Sequence, residues 1–183
     1  PLAWAANGVL GTARAVHTLV FGLVLVGVVG LGPTAGILAI ALHSLLAGAD
    51  PLAALDAAHA FARRSGFSRE VIDACVESTR PPKPPHASDA LSALRCALFH
   101  LRTSESFETA MESALVLDAG SDATATITGA VMGARLGREG IPNQLRNLVL
   151  SCRPMEGLAP HPRPSAYWGT DAMAMAEALL TAR

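Results

Sequence analysis

The stretch Val116–Pro142, VLDAGSDATATITGAVMGARLGREGIP, decides how the chain is read. From Asp122 onward, Ala125, Gly129, Gly133 and Gly137 recur every fourth residue and therefore share one face of a helix. A face without large side chains lets a neighbouring helix come close, so the pattern predicts a central helix. Gly140 and Pro142 are expected to end it. Ser121 is a candidate N-cap, which places Asp122 in the first turn among free backbone N–H groups. A carboxylate there either stabilises the helix start or serves as a ligand.

Outward from this stretch the signals remain helical. In GADPLAALDAAHAFARRSGF, Asp50 is placed as N-cap and Pro51 at the first helical position, and Gly66 follows Arg63 and Arg64 as a stop. SREVIDACVEST and SDALSALRCALFHL each follow a serine and carry apolar residues three and four apart. SESFETAMESALVL brings Glu105 and Glu108 near a helix N-terminus. TRPPKPPHAS cannot continue a helix, since proline removes the donor and clashes with the preceding turn. TDAMAMAEALLTAR closes the chain as another amphipathic helix. No segment alternates with a strand's period for long, so the expected class is all-α, one domain over 1–183.

The chain is 51% hydrophobic with a formal charge of −1, which gives no electrostatic reason to expect nucleic acid as a partner. Cys75, Cys96 and Cys152 form no CxxC pair and read as reduced core thiols of a cytoplasmic protein. Ala15–Ala49 contains no charged residue and is long enough to span a bilayer. Gly27, Gly30, Gly32 and Pro33 interrupt it, and neither flank carries a basic or aromatic belt, so two buried helices are expected rather than a membrane anchor. His43 and His59 are expected at core or boundary positions, and His86 and His161 in solvated loops. Trp168, after RPSA, is expected to staple the last helix to the body.

The stretch SFETAMESALVLDAGSDATATITGAVMGARLGREGIP resembles the C-terminal signature of the ADP-ribosylglycohydrolases. NGVLGTARAV at Asn7, GLGPTAGILAIALHSLLAGADPLAALDAA and RPSAYWGTDAMAMAEALL are similar to further family segments. The resemblance implies a compact orthogonal bundle of helices, lacking the family's N-terminal part. It also implies Mg²⁺ held by aspartates and threonines, ADP-ribose or an ADP-ribosylated protein as partner, and hydrolysis of an N- or O-glycosidic bond to ADP-ribose.

Anchored on ITGA, the family's D-T-D-T falls on Gly120, Ser121, Asp122 and Ala123, with Asp118 and Ala119 in place of the preceding glycines. The metal candidates are therefore Asp122, Ser121 and, one turn earlier, Asp118; Asn7 and Gly8 are candidate ligand-binding residues. No T-D-D-T motif occurs, and the family's M-R pair falls on Gly11 and Thr12. Loss of carboxylate ligands lowers the affinity for a hard cation, so a catalytically silent relative used for binding or assembly stands beside the hydrolase reading. A small membrane-associated helical protein is the third reading. A partial family core would leave apolar faces open, so a homo-oligomer or companion chain is expected, with Ala15–Ala49 as its contact surface.

Overall fold

A computed structural model describes residues 32–76, 90–117 and 122–181. All regular structure in these residues is helical, and no strand occurs among them. The chain divides into two compact units, Pro1–Gly140 and Ile141–Arg183.

In the first unit, helix α1 (Pro33–Leu46) starts at Pro33, whose missing N–H would have no partner in the first turn anyway. Ala35, Ile37, Leu38, Ala39, Ala41, Leu42 and Leu45 are all buried, so apolar contacts surround much of the helix. At 14 residues it is about 21 Å long. No helix among the described residues is long and apolar enough to cross a membrane. The described part of the charge-free segment is thus core of its own unit, and it does not offer the contact surface expected of it; the part before residue 32 lies outside the described residues.

Helix α2 (Pro51–Arg64) follows the sequence signals closely. Asp50 caps it, one carboxylate oxygen accepting from the backbone N–H of Leu52 at 2.9 Å and of Ala53 at 3.1 Å. Gly66 takes a φ of +66°, the left-handed conformation that turns the chain out of the helix. The buried side of α2 is Ala54, Leu55, Ala58 and Ala62, small enough for α2 to lie closely along α1. Gly36 of α1 lies close under α2, where a Cβ would meet the Phe61 ring at 3.1 Å. Phe61 in turn meets Phe67 edge-on, with centroids 5.8 Å apart.

Helix α3 (Arg69–Val76) adds Val71, Ala74 and Cys75 to the same core. Burial raises the Cys75 thiol to about 11 and so keeps it protonated and unreactive. Helix α4 (Ala90–Thr103) buries Ala93, Leu94, Cys96, Ala97, Leu98, His100 and Leu101. Helix α5 (Phe107–Leu117) starts where the Ser106 hydroxyl accepts from the Thr109 N–H at 3.2 Å. Helix α6 (Asp122–Leu136) packs most extensively on α4, and also on α5 and α1.

In the second unit, α7 (Asn143–Ser151) is followed by two short 3₁₀ turns and by α8 (Ala172–Thr181). Trp168 donates its indole N–H to the Arg163 carbonyl at 2.9 Å. It lines a cleft of 480 Å³ with Leu148, Val149, Cys152, Pro154, Arg163 and Gly169, all from the same unit. Cys152 is exposed, which corrects the expectation of three core thiols: it sits just past the end of α7, where no helix face carries it inward.

Replacing Asp50 with Ala removes the cap of α2 and is expected to cost about 1 kcal/mol. In a thermal melt this reads as a midpoint lower by about 2–4 °C.

Candidate functional site

The site candidate Asp122 is the first residue of α6, so the packing of α6 fixes where its carboxylate begins. The inward side of the helix is Thr124, Ile127, Thr128, Val131 and Met132, each at most 1% exposed. Their spacing of three and four gives one continuous stripe. It is flanked, and not formed, by the small residues: Ala125, Gly129 and Gly133 are only half-buried. The expectation of a glycine-lined contact face is corrected accordingly. The apolar stripe wins because burying Ile127, Val131 and Met132 removes far more surface from water than a row of glycines can.

Two of the buried residues are threonines, and Thr128 remains satisfied inside by donating to the Cys96 sulfur of α4 at 3.9 Å. Gly129 does face α5, but it meets flexible side chains: an added Cβ would find the Met111 sulfur at 3.4 Å and Phe107 at 3.8 Å. Gly137 is not a rung of the helix. With a φ of +70° and its N–H on the Gly133 carbonyl at 2.9 Å, it terminates α6 earlier than Gly140 and Pro142 were expected to.

The far end of α6 is tied to α4. The Arg135 guanidinium donates to the Leu101 carbonyl at 2.9 Å and to the Ser104 carbonyl, taking up acceptors at the C-terminus of α4 that have no intrahelical partner. One turn inside, His100 is 2% exposed, with its Nδ1 2.8 Å from the Ser104 hydroxyl. Sequence reasoning passed over both residues. For His100 the signal was available, since Ala93, Cys96, Ala97, His100 and Leu101 form an unbroken inward stripe of α4.

At the near end, Asp122 is exposed, and its backbone carbonyl accepts from the Thr126 hydroxyl at 2.7 Å. Asp118, Ser121, Asn7 and Gly8 lie outside the described residues. His43 and His59 are half-buried on α1 and α2, and His161 is exposed; His86 lies outside the described residues. No group of three or more His, Cys, Asp or Glu side chains among the described residues is placed to hold a metal ion. A hard divalent cation takes six or more oxygens, and the positive end of a helix dipole opposes it. One exposed carboxylate at that end does not fit such an ion on its own.

With this geometry in place, the comparison with protein families is decisive. The model of the ADP-ribosylglycohydrolase family matches residues 33–183. The chain belongs to the ADP-ribosylglycohydrolase family. That family is all-α and generally metal-dependent, and it acts on ADP-ribosylated substrates. No curated protein and no solved structure matches the chain.

The two glycines of α6 are expected to respond in opposite directions. Gly129→Ala places its methyl in ordinary contact with Met111 and removes a helix-weakening residue, for a gain of about 0.5–1 kcal/mol. Gly137→Ala forces a side chain into the left-handed region, for a loss of about 1–2 kcal/mol. Denaturant melts of the two variants check the pair.

Proposed function

We propose that this ADP-ribosylglycohydrolase-like chain recognises an ADP-ribosyl group without carrying Mg²⁺-assisted hydrolysis on its own donors. The observation that supports this is the register around Asp122. Gly120, Ser121 and Ala123 stand where the related motif has Asp, Thr and Thr, and Asp122 is the one carboxylate left in the motif. A metal pair would orient the substrate and activate water, and each hard cation of the pair needs a full set of oxygen ligands to be held. One carboxylate and one hydroxyl leave the pair short of anionic ligands. Asn7 and Gly8 are assigned to the ligand, and the chain to the cytoplasm. Residues 1–183 are assigned to one partial family domain that functions as a homo-oligomer or with a companion chain.

A second reading is hydrolysis of the N- or O-glycosidic bond to ADP-ribose, with Mg²⁺ held by Asp122, Ser121 and Asp118. The exposed position of Asp122 at the head of a helix whose inward stripe is core favours it, because a ligand-bearing carboxylate must be both fixed and open to solution.

Isothermal titration with ADP-ribose, with and without Mg²⁺, separates the two. The first reading predicts binding heat that neither requires Mg²⁺ nor changes on Asp122→Ala. Heat that needs Mg²⁺ and vanishes in the variant contradicts the first reading and favours the second. No heat from ADP-ribose under either condition overturns the recognition claim itself.

A further inference from the structure

We propose that His100 is an acid-sensitive latch on the seam between α4 and α6: when its ring takes up a second proton, the last turn of α4 loosens and its hold on Arg135 is released. The inference rests on what surrounds the ring. His100 is 2% exposed, and its Nδ1 is engaged with the Ser104 hydroxyl at 2.8 Å. Its Nε2 is buried without a hydrogen-bond partner. Phe99 packs edge-on against the ring with centroids 5.1 Å apart. In the neutral form with Nδ1–H donating to Ser104, Nε2 carries only a lone pair, which an apolar site tolerates better than a bare donor. Protonation creates a buried N–H without an acceptor and a buried charge at once.

The usual compensation for such a charge is already taken. Carbonyls at a helix C-terminus favour a cation, but those of Leu101 and Ser104 receive the Arg135 guanidinium of α6. Ser104 thus joins the two groups, bonding His100 through its hydroxyl and Arg135 through its carbonyl. A protonated ring would add a further positive charge beside the Arg135 guanidinium, on a turn that already carries Arg102. Among the described residues, the ionisable groups on the elements packed against α4 are, besides Arg135, Asp122 of α6; His43 of α1; Asp56, His59, Arg63 and Arg64 of α2; Arg69, Glu70, Asp73 and Cys75 of α3; and Glu108 and Glu112 of α5. Arg95 and Arg102 lie on α4 itself. None of them bonds to or pairs with the ring. Burial holds His100 below its ordinary value of 6.5, and no carboxylate among the described residues pulls it up.

The sign follows. The unfolded chain takes up this proton more readily than the folded one, so the stabilisation is complete above about pH 6.5 and is lost as pH falls below it. The loss is local because the ring and Ser104 share the end of α4, and Arg135 of α6 bonds to that same end. The amides that should feel it belong to 90–103 and 122–136.

The test compares thermal midpoints and amide hydrogen exchange, corrected for intrinsic rates, at about pH 7.5 and about pH 5.5. For the natural chain, acidification is expected to lower the midpoint by about 2–4 °C more than it does for His100→Gln. Exchange in α4 and α6 should quicken in the natural chain and not in the variant. An equal acid response in His100→Gln overturns the latch. Arg135→Gln provides a second check should His100→Gln fail to fold. Removing the like charge should diminish the acid response, and an undiminished response overturns the proposal.

Discussion

The contact between α4 and α6 is the constraint on which the first unit depends. It is apolar along its length, where Leu94, Leu98 and Leu101 of α4 and Ile127 and Val131 of α6 are all at most 1% exposed. It is also registered by two polar ties: the Thr128 hydroxyl on Cys96 in the middle and the Arg135 guanidinium on the carbonyls that end α4. Burial provides the driving force, since each large side chain removed from water contributes about 1.5–3 kcal/mol. The polar ties provide register, because a slip of one residue would strand a buried hydroxyl and leave the last carbonyls of α4 without a donor. With α6 so fixed, α1 and α5 pack against it, and α2 lies along α1.

The same constraint places the candidate site. Asp122 begins the helix whose interior is locked, so its backbone has little freedom while its carboxylate remains in solution. That combination suits a ligand-bearing position. It does not supply the number of oxygens that a hard cation requires, and the helix dipole at that end works against one. Family membership and a metal site are therefore separate matters in this chain. The first follows from a scaffold pattern spread over residues 33–183, the second from a handful of side chains at the start of α6.

Much of the fold could be read from the amino acids, where local chemistry is unambiguous. Asp50 and Pro51 name the start of α2, and Gly66 its end, because capping and the left-handed turn depend on a few adjacent residues. The all-α class followed from helical spacing and held. The inward face of α6 was misread for a physical reason. Threonines look polar in a sequence, and the sulfur that Thr128 meets inside belongs to Cys96, 32 positions away. The end of α6 was misplaced because Gly137 continues the four-residue spacing while adopting a positive φ, a property of backbone and not of pattern. Arg135 could not be assigned, since its acceptors on α4 lie more than 30 residues away. Of the site candidates, Asp122 was located where expected at the head of its helix; Asp118, Ser121, Asn7 and Gly8 fall outside the described residues.

Native-state hydrogen exchange across the whole chain tests most directly whether the α4–α6 seam organises the first unit. The amides of Leu98–Leu101 and of Thr128–Met132 should be the slowest to exchange and should share one opening free energy, equal to that of global unfolding. If those amides exchange as fast as those of α7, which buries no residue, the seam is not the element that holds the unit together.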